Sequence, residues 1–357
     1  FADLGIQCTI ISPNSISSNI LGRTERKPVK WNKVTTNGNK IEIFSPNYIS
    51  FSNKKLLRYN TANLTLNCFK RVVQNEFIRL QKRPDVLYGH FLIPSGLTAA
   101  YLGEVYNIPS FFAFGEDSTD HFSQLGNKKI SRMLKNITGI ISVSSENKKK
   151  LIDLGVISSE KIGVFPNAIN SNIFYKRNKA EMRRKFGYSQ DDFIVAFVGT
   201  FDQRKGSLRL SKALERLKGV KSIFIGNGSD IPTCNGILHI GKVPYEIIPE
   251  MLSAADVFVL PTLSEGCCNA IIEAMACGLP IISSNLPFND DILWDDNSIR
   301  IDPMNIDDIR NAISLLKEDQ QMRENFSKAS LKHAASLNIE KRAKNILEFM
   351  SERISNK

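Results

Sequence analysis

The sequence predicts an α/β protein built on two doubly wound parallel sheets, and three observations carry that reading. The chain has 357 residues, more than one hydrophobic core usually fills, so two domains are the natural division. Short β-rich apolar runs alternate with longer amphipathic stretches: VLYGHFLI, LTAAYLGEVYN and PSFFAF, then GIISVSS, ENKKKLIDLG and IGVFPN. That is the rhythm of parallel strands joined by crossover helices. It stops in the polar stretch 171–192 and restarts with FIVAFVGT, KSIFIG, ILHIG, VFVLPT and PIISS.

The expected domains are therefore 1–171 and 172–338. In the remaining segment, 339–357, Ile339, Ala343, Ile346, Leu347 and Met350 recur at helical spacing, and the helix is expected to return and brace the first domain. The chain opens at Phe1 inside FADLG, which reads as the end of a helix before the strand-like IQCTIIS. Residues upstream of Phe1 are expected, and any leader peptide would lie among them.

Composition excludes several classes. With 42% hydrophobic and 23% charged residues the chain is neither disordered nor collagen-like. Its longest apolar runs are strand-sized, too short to span a bilayer. Six cysteines lie scattered without a CxxC pair, a pattern that suits a reducing compartment rather than a disulfide framework or a zinc site. The net charge of +11 is concentrated in residues 1–165, which hold 22 Lys and Arg against 12 Asp and Glu. Such a field either attracts an anionic partner, such as nucleic acid, an acidic membrane surface or a phosphorylated substrate, or serves solubility alone.

The most informative segment is 253–284, SAADVFVLPTLSEGCCNAIIEAMACGLPIISS. A strand ends in the loop TLSEGCCN, and a helix is expected to begin near Asn269 and stop at Gly278. Gly266 frees the loop backbone, so the amides of Gly266, Cys267 and Cys268 can turn toward an anion at the positive helix end. Glu265 in the loop and Glu273 in the helix, with seven residues between them, can face one crevice at the carboxyl ends of the strands. Carboxylates there suit sugar and ribose hydroxyls; the bland alternative makes Glu265 a helix cap and Glu273 a surface charge.

This segment resembles the EX7E signature of retaining glycosyltransferases of family four, which have the two-domain GT-B architecture. The resemblance implies that Glu265 contacts the donor sugar and Glu273 the nucleotide ribose. VGTFDQRKG (198–206) resembles the family loop whose Arg and Lys hold the donor diphosphate: Gly199 and Lys205 match, whereas Thr200 stands where the arginine is expected. Arg204 is the neighbouring guanidinium able to substitute. IGNGSD resembles the family's glycine turn, with Gly226, and GKVPYEIIPEMLSAAD its base-proximal loop, with the Val243 backbone near the nucleobase. PNAINSNIF resembles an interdomain segment that places Asn167 in the cleft.

In the first domain the likeness covers YGHFLIPSGLTAAYLGEVYNIPSFFAFGED. His90 fills a familiar acceptor-side position, although by residue type His90 and His121 read as structural histidines. Phe114 replaces the usual active-site histidine. Glu116 then either takes over a polar contact to donor sugar or acceptor hydroxyl, or is a structural loop carboxylate. By the same resemblance, what precedes Phe1 is the first strand, its glycine-rich loop and most of the first helix.

Competing signatures are missing. There is no D-x-D, HExxH or G-x-G-x-x-G, and GILHIGKV mimics a P-loop with Val243 in place of Ser or Thr. No metal or other cofactor is expected. The partners implied are a UDP- or GDP-sugar and a glycan or lipid-diphosphate-linked acceptor at the inner membrane face, not nucleic acid. Two further readings stand beside this one, a nucleotide-sugar 2-epimerase and a non-catalytic glycosyltransferase-like subunit.

Overall fold

The computed structural model describes residues 1–22, 24–51, 55–56, 59–117, 122 and 125–355. His121 lies outside the described residues. The chain divides into two compact units: Phe1–Val143, Asn147–Phe165 and Ala343–Lys357 form the first, Ser144–Glu146 and Pro166–Arg342 the second.

In the first unit a small sheet contains β1 (Thr9–Ile11), β2 (Lys30–Val34) and β3 (Lys40–Phe44), with β3 in the middle. β1 pairs with β3 in parallel, but β2 runs antiparallel to it. This departs from the purely parallel plan because TTNGN closes a tight hairpin between β2 and β3, with the Thr35 amide donating to the Asn39 carbonyl at 2.9 Å. The main sheet has four parallel strands in sequential order, β4 (Leu87–His90), β5 (Ser110–Phe114), β6 (Gly139–Ser142) and β7 (Ile162–Val164). β5, SFFAF, is buried along its whole length, as a strand covered on both faces must be.

The second unit is a six-stranded, all-parallel sheet of β8 (Phe193–Val198), β9 (Val220–Ile225), β10 (Ile237–Gly241), β11 (Val257–Leu260), β12 (Ile281–Ser284) and β13 (Ser298–Ile301). Their spatial order is β10-β9-β8-β11-β12-β13. The chain winds outward from β8 to β10, then returns to the other side of β8 and winds the opposite way. The loops after β8 and β11 therefore diverge, opening a crevice at the carboxyl ends of adjacent strands where such sheets bind ligands.

A buried ion network fastens the entrance of this sheet. Arg183, on α1 (Lys179–Phe186), is 3% exposed and meets Asp256 at 2.7 Å. The same guanidinium donates to the carbonyls of Ala254 and Gln190, and Asp256 also accepts from the Ile194 amide at 2.7 Å. Lys179 reaches the other carboxylate oxygen at 2.8 Å. The starts of β8 and β11 thus share one carboxylate.

The last helix, α2 (Ile339–Ser355), spans the end of one unit and the return to the other. Its Ile346 and Met350 pack with Phe111 of β5 and Ile141 of β6.

Arg183→Met should cost the second unit about 3 kcal/mol, because a buried carboxylate keeps only the exposed Lys179 as counter-charge. A urea transition of unchanged midpoint would show that the network contributes nothing.

Candidate functional site

Two loops define the site. The loop after β8 runs from Gly199 to Gly206 and leads into α3 (Ser207–Glu215); the loop after β11 runs from Pro261 to Cys268 and leads into α4 (Asn269–Ala276).

Asp202 shapes the first loop. Its carboxylate accepts from the Thr200 hydroxyl at 2.5 Å and from the Lys205 amide at 2.7 Å. Burial pushes this carboxyl up, but those two bonds with the nearby Arg204 and Lys205 hold it below its ordinary value. Thr200 therefore works as a loop fastener here. Beneath the loop, the Gly199 amide donates to Ile225 and the Phe201 amide to Asn227. This approach requires Gly226 and Gly228: a Cβ on Gly226 would lie 1.8 Å from the Gly199 carbonyl oxygen, and one on Gly228 2.2 Å from that of Phe201. The glycine turn supports the site by letting one loop lie directly on another.

The two loops are joined at three points. Glu265 Oε1 lies 2.6 Å from Lys205 Nζ and 3.2 Å from Arg204 Nη1, and accepts from the Thr262 hydroxyl at 2.7 Å. Arg204 also donates to the Ser264 carbonyl at 2.8 Å, while the Leu263 amide returns a bond to the Arg204 carbonyl. Arg209, in the first turn of α3, donates to the Gln203 and Pro261 carbonyls, each at 2.7 Å. Gly206 makes way for that guanidinium, since a Cβ there would lie 2.5 Å from Arg209 Nη2.

Electrostatically the site is a cation pair around one carboxylate. Burial pulls the Lys205 ammonium down, but the Cys268 sulfur and the Glu265 carboxylate beside it raise it by more. Burial also pushes the Cys268 thiol up to about 11 and the Cys267 thiol up to about 12. Both are neutral thiols at pH 7, so the anion beside Lys205 at that pH is the Glu265 carboxylate. The amides of Gly266, Cys267 and Cys268 meet no acceptor among the described residues, and they stand at the positive end of α4. Asn167 braces this loop, its side-chain amide donating to the Cys267 carbonyl at 3.0 Å.

Glu273 lies one turn into α4, is 9% exposed, and accepts from the Tyr245 hydroxyl at 3.3 Å. Burial raises its pKa, and the Tyr245 bond offsets that only in part. Tyr245 follows half-buried Val243 in the loop after β10, so the edge strand also sends its loop toward α4.

The first unit places its candidates differently. Phe114 is completely buried in the core, against Phe122. Glu116 is tied to backbone: one carboxylate oxygen accepts from the Leu92 amide at 2.7 Å and the other from the Gly115 amide at 3.0 Å. His90 ends β4, exposed, with its ring 4.4 Å from that of Phe91.

Sequence reasoning missed Asp202, Arg209, Thr262 and Tyr245. Three of these carry a local signal: Asp202 stands three residues before Lys205, the spacing of a side chain that caps a turn, and Arg209 stands four after it, one helical turn on. Thr262 likewise stands three residues before its partner Glu265 in the same loop, whereas Tyr245 carries no such signal, because its partner Glu273 lies in another element.

Residues 178–333 match the family model described as glycosyl transferases group 1. The chain is 27% identical over 329 residues to the Bacillus subtilis (strain 168) protein named as teichuronic acid biosynthesis glycosyltransferase TuaC, covering 89% of this chain and 82% of that one. It is 28% identical over 240 residues to the Escherichia coli UDP-Gal:alpha-D-GlcNAc-diphosphoundecaprenol alpha-1,3-galactosyltransferase, covering 62% of each. Among solved structures, sucrose-phosphate synthase of Thermosynechococcus elongatus matches with a TM-score of 0.73 at 16% identity, over 98% of this chain and 100% of that one. Anabaena HepE in complex with UDP-glucose matches with a TM-score of 0.68 at 16% identity, over 96% and 99%. These likenesses identify the fold as GT-B, with two Rossmann-like domains.

The raised pKa of Glu273 has a measurable sign. The folded protein holds that proton more tightly than the unfolded chain, so stability from this group is present below the ordinary value of 4.5 and is lost as pH rises through the raised one. Glu273→Gln, never charged, should melt above wild type near neutral pH, and the gap should close as the pH falls toward 4.5. A gap that stays constant or widens toward acid would contradict the burial of a charged carboxylate.

Proposed function

We propose, from the match of residues 178–333 to the group 1 glycosyl transferases, that this chain is a metal-independent, retaining transferase of that family. It moves a hexose or related sugar from a UDP- or GDP-sugar to a glycan or lipid-diphosphate-linked acceptor in the assembly of a bacterial surface polysaccharide. The observation that carries this reading is the Glu265 carboxylate held by Lys205 and Arg204 where the strand order of the six-stranded sheet reverses.

A nucleoside diphosphate matches that arrangement in charge. Its phosphate oxygens take Lys205, Arg204 and the amides of Gly266, Cys267 and Cys268 as partners, and Glu265, relieved of part of its ion pairing, accepts hydroxyls of the sugar. Glu273 receives the ribose hydroxyls. When the bond between the anomeric carbon and the diphosphate oxygen breaks, negative charge grows on the diphosphate, and the fixed donors around it stabilise that charge without having to reorganise. Retention requires the acceptor oxygen to bond to the face that the diphosphate leaves, its hydroxyl proton passing to the departing diphosphate oxygen.

The donor and acceptor classes draw support from the relatives' names, one of which specifies a UDP-sugar and a diphosphoundecaprenol-linked acceptor and another teichuronic acid biosynthesis. The basic residues 1–165 suit an anionic acceptor at a membrane surface. No helix among the described residues is long and apolar enough to cross a membrane, so contact with lipid is assigned to the periphery. The arginine missing at Thr200 does not favour a non-catalytic subunit, because Arg204 brings a guanidinium beside Lys205.

Incubation with labelled UDP- and GDP-sugars and a bacterial lipid extract tests the proposal. Transfer into the lipid fraction, with the donor's anomeric configuration kept in the product by NMR, is expected. Isomerised donor without transfer would replace it with an epimerase, and binding without turnover with a non-catalytic subunit. Glu265→Gln and Lys205→Ala should each lower kcat about 100-fold or more, the scale of losing one preorganised charge partner; wild-type rates in both would remove the site.

A further inference from the structure

The two carboxylates of the site are satisfied very unequally. Glu265 has three donors on one oxygen, whereas Glu273, about as deeply buried, has among the described residues one long bond from the Tyr245 hydroxyl at 3.3 Å. A carboxylate has room for about four hydrogen bonds. Glu273 is thus held short of partners in a place where a missing partner is costly.

Its one partner is loosely mounted. Tyr245 is 50% exposed and opens the single turn Tyr245–Ile247, entered through Pro244. Its ring meets the buried Phe174 edge-on at 5.2 Å. The hydroxyl reaches the carboxylate while half of the side chain faces water, so the ring can swing outward without opening the core.

We propose that Tyr245 is a displaceable stand-in for a ribose: its hydroxyl holds Glu273 until the donor's ribose hydroxyls replace it, and it thereby sets how strongly the site distinguishes ribonucleotides from nucleotides without those hydroxyls. The proposal rests on the reading of Glu273 as the ribose partner. The exchange conserves hydrogen bonds, since the displaced phenol is satisfied by water and the carboxylate receives two alcohols in place of one phenol. With a 2′,3′-dideoxynucleotide there is nothing to exchange, Tyr245 stays, and Glu273 keeps a partner. Remove the phenol hydroxyl, and the same dideoxynucleotide leaves Glu273 buried and unpaired.

Calorimetric Kd values for UDP, GDP and their 2′,3′-dideoxy analogues on wild type, Tyr245→Phe and Glu273→Gln provide the test. Tyr245→Phe keeps the ring and its contact with Phe174 but has nothing to displace. It should bind the preferred ribonucleotide several-fold tighter and raise the ribo-over-dideoxy preference by about tenfold, the equivalent of one hydrogen bond. Glu273→Gln should lose most of that preference. If Tyr245→Phe instead weakens ribonucleotide binding, or changes neither constant while Glu273→Gln behaves as expected, the stand-in role is wrong and the ribose reading survives. If Glu273→Gln keeps the full preference, the ribose reading fails and the stand-in role with it.

Discussion

Two cations and a carboxylate meet where the strand order of the second sheet reverses, and the loops around them hold their shape because each charge there is answered. Glu265 belongs to the loop after β11, Lys205 and Arg204 to the loop after β8, and the 2.6 Å contact between Glu265 and Lys205 draws the two together. A parallel sheet supplies the reversal, but reversal alone only makes the loops diverge. What narrows that gap is that the loops are pulled back toward each other by charge at one side and by backbone at the other. The glycines at 226 and 228 serve the same end, since a side chain at either would lift the first loop off its support.

The strands buried on both faces were the most legible part of the fold. FIVAFV and VFVL read as unbroken apolar runs because neither face needs water, and the helix expected near Asn269 begins there. β2 was not legible as an antiparallel partner, because WNKV lies in a small, largely exposed sheet whose pairing is decided by a hairpin rather than by a buried pattern. Within the site, Glu265 stood out by its place in a strand-loop-helix segment, Lys205 by the family resemblance and Arg204 as the guanidinium next to it, and the structure brings the three into contact. Thr200 had read only as a missing arginine. Its positive contribution, the bond to Asp202, depends on how the loop folds back on itself, which spacing does not encode. Glu116 was left between two descriptions; its carboxylate accepts from the Gly115 amide beside it and from the Leu92 amide of the loop after β4.

Environment separates two glutamates that look alike in the sequence. Eight positions apart, they differ in what surrounds the carboxyl: Glu265 is held by cations and a hydroxyl, Glu273 by burial and one phenol. The first already has its donors, and the second gains from a proton or from new donors. The same residue type therefore serves one position whose partners are in place and another that is short of them.

The Arg209 clip has a consequence for the sign of the local field. A backbone loop presents carbonyl oxygens as readily as amide hydrogens, and carbonyl dipoles directed at a phosphate would repel it. By drawing the carbonyls of Gln203 and Pro261 onto one guanidinium, Arg209 screens two negative dipole ends at the rims of both loops. Its charge thus conditions the polarity of the loops themselves, leaving their hydrogen-bearing side as the one an anion encounters.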